Sequence, residues 1–147
     1  MSDRGSASLS APATLACVRV LSEFVLAGAR AAGFPVDSLP RYDLALEEAL
    51  VNVVRYAYPP DCPGEVEVAY EFEPDGSLEV RICDGGRPFD PLQLPDPDLS
   101  LGIPDRPQGG LGIFLIKQIA SVTYSRSCDR NVLSLRFERP ACATAQL

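Results

Sequence analysis

A chain of 147 residues, 46% of them hydrophobic, can bury one core and is short for two ordinary domains. Its formal charge of -7, from 20 acidic and 13 basic residues, argues against a general grip on the phosphate backbone of nucleic acid, which relies on clustered cations. Protein or small-molecule partners fit this charge better.

No apolar run approaches the roughly 20 residues needed to cross a bilayer. The start, Met1-Ser2-Asp3-Arg4-Gly5, leads into no signal-like apolar core, so a cytoplasmic protein without a membrane contact is expected. The cysteines, Cys17, Cys62, Cys83, Cys128 and Cys142, are odd in number and form no CxxC pair. They read as free thiols rather than as a disulfide framework or a zinc site. The chain has no histidine, which removes Ser-His-Asp and Cys-His chemistry and a phosphohistidine acceptor within it. Lys117, its only lysine, follows Gly112 too distantly to make a GK[ST] phosphate loop.

Residues 1–11 are small and polar and read as a frayed end or a short edge strand. From Pro12 to Ala32 the pattern is helical, with Leu15, Val18, Leu21 or Ser22, Val25 and Ala29 near one stripe and Gly33 as the stop. A second helix is expected from about Pro40 to Ala57, bracketed by Pro40 and Pro59-Pro60. Leu46, Leu50, Val53, Val54 and Ala57 form its apolar stripe, and Glu48, Asn52 and Tyr56 fall on the opposite side. The period then changes to two. Val66, Val68, Tyr70 and Phe72 alternate with glutamates, giving a half-buried strand with an acidic outer face.

Pro74-Asp75-Gly76-Ser77 is a turn into a partner strand of Leu78, Val80 and Ile82 that ends near Asp84. Glycines and prolines crowd the stretch from Gly85 to about Gly110, a length of loop that inside a compact domain is usually functional or disordered. Leu111 to about Ser121 is apolar nearly all round, as in a short helix buried on most sides. Val122–Cys128 and Val132–Phe137 make a second hairpin, and residues 140–147 form a tail. This order implies an α+β sandwich, with helices on one face of a mostly antiparallel mixed sheet.

Three segments carry chemistry. Glu48 and Asn52, four apart, lie on one helical face, where an amide oxygen can ligate Mg²⁺ and a carboxylate can accept a proton. Alone, the pair reads equally as a solvated polar face. Asp84-Gly85-Gly86 ends an apolar strand, where a carboxylate can accept a hydrogen bond from the exocyclic amine of adenine and Gly86 can let a flat ring approach. Alone, Asp-Gly is also a common turn dipeptide. Gly109-Gly110-Leu111-Gly112 opens a helix, so free backbone N–H groups and the helix dipole can face a phosphate. Alone, it is also a hinge or cap.

In this order and spacing the three segments resemble the N, G1 and G2 boxes of the GHKL (Bergerat-fold, histidine kinase-like) ATPases, over roughly residues 12–139. The wording Glu47-Glu48-Ala49-Leu50-Val51-Asn52, the segment Arg87-Pro88-Phe89-Asp90-Pro91, Gly109-Gly110-Leu111-Gly112-Ile113 and Asn131 resemble the anti-sigma factor serine kinases of the RsbW/SpoIIAB type. The resemblance implies a Bergerat-type two-layer sandwich that binds ATP and Mg²⁺ beneath a lid over about 85–110. It also implies Glu48 as general base, Asn52 as Mg²⁺ ligand, and Asp84 and Gly86 as the adenine site. Gly109, Gly110, Leu111 and Gly112 would contact phosphates, Arg55 and Phe89 would line the nucleotide, and Arg106 would reach the γ-phosphate. Tyr56 stands where such kinases often carry histidine, and Gln108 where a basic residue often precedes the glycines.

The implied function is that of an ATP-dependent serine kinase and anti-sigma factor, phosphorylating a STAS-domain anti-anti-sigma protein and holding a sigma factor or other regulated protein. A homodimer is implied too, with the face of the first helix as a candidate surface. Two other readings compete. One is a module in which ATP only shapes a partner-binding surface; the other is the catalytic piece of a sensor histidine kinase, which the short stretch before the Glu48 helix disfavours.

Overall fold

The computed structural model describes residues 5–93 and 110–140. Among them the chain runs through β1 (Ser6–Pro12), α1 (Leu15–Ala31), α2 (Leu39–Tyr56), β2 (Glu65–Phe72), β3 (Leu78–Asp84), α3 (Gly110–Ile119), β4 (Ser121–Ser127) and β5 (Arg130–Phe137). Short 3-10 turns precede α2 at Val36–Ser38 and follow β3 at Pro91–Gln93. No helix of the described residues is long and apolar enough to cross a membrane.

The five strands lie in the order β1-β2-β3-β5-β4, and every neighbouring pair is antiparallel. The α+β sandwich is as expected, with no parallel pair among the described strands. Period-two alternation sorts the faces. Val66, Val68, Leu78, Val80, Ile82, Leu133, Leu135 and Phe137 are buried beneath the helices. Glu71, Glu79 and Arg81 lie on the open face, with Arg81 3.3 Å from Glu71 and 3.7 Å from Glu79. Burial of the apolar face drives the layer, and the exposed ion pairs add little.

Of the two readings of residues 1–11, Ser6–Pro12 form the edge strand. The ladder reaches one residue past it, because Ala13 donates its N–H to Gly64 O at 2.8 Å in the same register. Hydrogen-bonded pairs alternate along an antiparallel ladder. Ala7, Leu9 and Ala11 therefore bond to β2, and the backbone groups of Ser6, Ser8 and Ser10 point away from it. Use of Pro12 and Ala13 in the ladder delays α1 to Leu15 rather than Pro12. Leu15, expected in the buried stripe, is 65% exposed, and the core stripe is Val18, Leu21, Ser22, Val25, Leu26 and Ala29.

Helix α2 departs from expectation in a way that matters for the site. It packs against α1 on one flank and α3 on the other, so its buried arc is wider than one stripe. Ala45, Ala49 and Asn52 are buried along with Leu46, Leu50 and Val53, while Val54 is only half-buried. Asn52, expected on the solvent side, is thus a buried polar group at 6% exposure.

The β4–β5 hairpin turns through Cys128 and Asp129, whose φ values of 53° and 60° both lie in the left-handed region. A two-residue turn of this kind matches the strand twist but favours Asn-Gly, and L-residues pay roughly 1–2 kcal/mol there. Cys128→Asn combined with Asp129→Gly should raise stability by about 1 kcal/mol, measured as a higher urea midpoint at unchanged slope.

Candidate functional site

Of the sequence-predicted residues, Asn52, Asp84 and Phe89 meet between α2 and the ends of β3 and β5, and Glu48 meets the start of α3. Ala49, Asn52, Val53 and Ala57 of α2 line a small cavity with Ile82, Asp84, Phe89, Pro91, Tyr124, Asn131 and Leu133. Asn52 Nδ2 is buried there and has no hydrogen-bond partner among the described residues. Leaving such a group unpaired costs about 1–3 kcal/mol, and unsatisfied buried groups concentrate where a ligand, ion or water belongs. A half-turn of the amide about its last torsion exchanges nitrogen for oxygen, so Asn52 can offer the cavity an oxygen of the kind Mg²⁺ takes alongside water and phosphate oxygens.

Asp84 is 4% exposed at the end of β3. Its Oδ1 accepts the Gly86 N–H at 2.9 Å and Asn131 Nδ2 at 2.9 Å. Asn131, directly opposite it on β5, is a hub. Its Nδ2 also donates to Arg87 O at 2.7 Å. Its Oδ1 accepts from the Tyr124 hydroxyl, from Arg126 Nη1 at 3.1 Å and from Phe89 N–H at 3.3 Å. Arg126 Nη1 also donates to Gly86 O at 2.9 Å. One buried amide thereby ties the turn after β3 to both strands of the second hairpin.

The same turn closes the end of α2. Arg87 donates its N–H to Ala57 O at 3.0 Å and its Nε to Tyr56 O at 2.7 Å, placing a cation at a helix C-terminus, where the dipole favours it. Gly86 is required for this docking: a Cβ would fall 2.1 Å from the Ala57 carbonyl oxygen. This packing role stands beside the one expected of it. The glycine makes room for the backbone of α2, not for a flat ring alone. Tyr58 adds a second tie. Its hydroxyl accepts from Gly85 N–H at 2.7 Å and donates to Glu65 O at 2.6 Å, standing where the next β2–β3 ladder bond would be. Burial pushes the Tyr58 phenol above its usual pKa, against the hydrogen bond from Gly85.

Glu48, one turn before Asn52, is half-buried and faces the first turn of α3. A Cβ on Gly112 would lie 2.7 Å from Glu48 Oε2, so the glycine lets α3 run against the carboxylate. Gly110 and Leu111 begin the same helix. Arg106 and Gly109, with the rest of 94–109, lie outside the described residues, so the lid expected over about 85–110 is described only to residue 93. That part is anchored rather than loose, by the bonds of Asn131, Arg87 and Arg126. Arg55 is exposed and lines an open cleft of about 530 Å³ with Tyr56, Tyr58, Gly85, Gly86 and Arg87.

Phe89 lines the cavity, its ring 5.1 Å from that of Tyr56 and stacked on it. The space there is about 20 Å³, room for about one water molecule. A nucleotide base could enter only if Phe89 and Pro91 moved. Tyr58, Tyr124 and Arg126 had not been singled out as site residues. The period-two alternation of Val122, Tyr124 and Arg126 already places the last two on the helix side of β4, whereas nothing local marks Tyr58.

A profile for the histidine kinase-like ATPase domain matches residues 11–137. The serine-protein kinase RsbW of Bacillus cereus strain AH187 is 30% identical over 112 residues, covering 74% of this chain and 69% of the relative. RsbW of Listeria innocua is 32% identical over 97 residues, covering 60% and 58%. Among solved structures, the RsbU and RsbW domains of Rv1364c from Mycobacterium tuberculosis superpose with a TM-score of 0.64 at 17% identity. That match covers 93% of this chain and 34% of the other. A blue-light activated histidine kinase of Erythrobacter litoralis EL346 gives 0.52 at 18% identity, covering 72% and 32%. The structural likenesses speak for the fold.

Gly86→Ala should undock the turn from α2. The expected loss is about 1–3 kcal/mol of stability, with faster amide exchange at residues 85–89 and at the end of α2 by hydrogen-exchange mass spectrometry.

Proposed function

Because the chain belongs to the histidine kinase-like ATPase family, within it to the RsbW type of anti-sigma serine kinase, we propose that it binds Mg-ATP and phosphorylates a serine of a STAS-domain anti-anti-sigma partner. A sigma factor or another regulated protein would be held when that partner is phosphorylated and unavailable. The observation that carries the reading is the meeting of Glu48 with the α3 start at Gly112, one turn from the buried amide of Asn52, whose nitrogen has no partner among the described residues.

The residues divide the work. Asp84, held by Asn131 and by the Gly86 N–H, offers a carboxylate to the exocyclic amine of adenine once Phe89 leaves the cavity. Asn52 is the residue that would hold Mg²⁺, which when bound neutralises charge on the phosphates. The N-terminal turn of α3 presents N–H groups toward the phosphates. Glu48 takes the proton of the partner's serine hydroxyl as its oxygen bonds to the γ-phosphorus, and the bond to the β-phosphate oxygen breaks to leave ADP. Arg55, at the exposed end of the cleft, and Arg106 are the cations available to the nucleotide.

Adenine selectivity should rest on Asp84, because guanine presents a carbonyl where adenine presents an amine. Calorimetry should show ATP bound well above GTP, and Asp84→Asn should lose that preference; equal affinity for the two nucleotides in the wild type would remove the assignment. In single-turnover transfer from labelled ATP to a purified STAS partner, Glu48→Gln should bind ATP but transfer about 10²–10⁴-fold more slowly. Asn52→Ala should impair metal-dependent binding and transfer together. A wild type that binds the partner in an ATP-dependent way and transfers no phosphate would make the chain a binding module.

A further inference from the structure

We infer that the cleft between the start of α2, the end of α3 and the end of β5 docks an acidic segment of a partner protein, one with an apolar side chain among its carboxylates. The cleft has a volume of about 770 Å³, and Arg41, Lys117, Arg136 and Arg139 line it against two carboxylates, Asp37 and Glu138. These cations come from three elements of a chain with only 13 basic residues to 20 acidic ones. The acidic excess elsewhere repels an acidic ligand, so a local cationic surface both attracts such a segment and fixes where it lands.

Two of the arginines are fixed in advance. Arg139 donates to the carbonyls of Ala32 at 3.2 Å and Gly33 at 3.1 Å and lies 4.9 Å over the Phe34 ring. Arg136 donates from Nε to Ser77 Oγ at 3.0 Å and pairs with Asp75 through Nη2. A guanidinium carries more N–H groups than these bonds use, so each keeps donors for a carboxylate and loses little freedom on binding. Asp75 offsets part of the Arg136 charge, which leaves Arg139, Arg41 and Lys117 as the main attraction. Arg41 is exposed and makes no hydrogen bond or ion pair with another described residue, although Asp37 stands four residues before it. Beneath them Tyr42 is 6% exposed, its hydroxyl donating to Glu138 O at 3.1 Å and its ring 4.6 Å from that of Phe137. Burial pushes the Tyr42 phenol above its usual pKa, against the pull of Ser38, Arg41 and Arg139, so this wall of the cleft stays neutral and the charge lies in the cations around it.

Val36 decides between a peptide and a bare phosphate. It is 70% exposed, on a 3-10 turn with no buried residue, between Pro35 and Asp37 of the cleft wall. A single exposed valine needs no explanation by itself. Beside cations spread over three elements rather than gathered round one point, it suits a segment of chain that brings both carboxylates and an apolar side chain. The cleft is also remote from the nucleotide site. Arg41 precedes Asn52 by about three turns of α2, roughly 16 Å along its axis, and β5 runs from beside Asn131 to Phe137, next to Glu138. Both sites can be filled at once, and docking here stands apart from phosphoryl transfer.

The test is fluorescence anisotropy of a labelled peptide, Glu-Asp-Leu-Glu-Glu-Leu-Asp-Glu, titrated with the full chain. The wild type should bind it, less tightly as salt rises. Arg41→Glu combined with Lys117→Glu should weaken binding roughly tenfold, and Val36→Ser about threefold or more. All three side chains are exposed, so circular dichroism should be unchanged. Arg30→Glu combined with Arg130→Glu makes the same change of net charge outside the cleft and should leave the affinity within about twofold. Unlabelled peptide should displace the label, and inorganic tripolyphosphate at the same concentration should not. A wild type that does not bind the peptide, a cleft reversal no more damaging than the control reversal, or an affinity indifferent to Val36→Ser would overturn the inference. So would displacement by tripolyphosphate, which would make the cleft a phosphate site.

Discussion

The site depends on a single buried contact, the Asn131 amide against the Asp84 carboxylate. Without Asn131 the carboxylate at the end of β3 would face the low-dielectric interior with the Gly86 N–H as its one described partner, and desolvation of that kind is expensive. With it, the turn after β3, both strands of the second hairpin and, through Arg87, the last carbonyls of α2 share one network. Sheet and helix layer are therefore registered to each other at the place where a nucleotide pocket would have to be held still. The small cavity beside it is a product of the same tightness.

Local pattern made much of this legible. Alternation in Val66–Phe72 and Leu78–Asp84 reports which side chains face the helices because the strand period is two whatever the partner. The spacing of Glu48 and Asn52 reports a shared face for the same reason at 3.6 residues per turn. What local pattern could not report is what the second flank of a helix meets. Asn52 looked solvated because polarity was read as exposure, yet it is buried beside a cavity that residues of β3, β4, β5 and the turn after β3 line with it. The packing role of Gly86 was hidden because the neighbour that requires it, Ala57 O, comes from another element. Tyr58 substitutes for a ladder bond between residues that no periodicity links.

The two ends of the molecule answer to different constraints. At the nucleotide end, polar groups are buried and must be paired or wait for a ligand, so small changes there are expensive. At the β1 edge, polar backbone groups are left in water and cost nothing.

The antiparallel connection of β1 also has a bearing on how the chain assembles. β2–β3 and β4–β5 close through short turns, but β1 can pair with β2 only across the whole of α1 and α2. Such non-local pairing carries a loop-closure cost that local hairpins escape. β1 thus leaves the ribosome before α1, α2 and β2, and it cannot find its place until β2 exists. Its Ser-Ala composition suits that wait, since a strand with so little apolar surface offers few wrong partners in the interval.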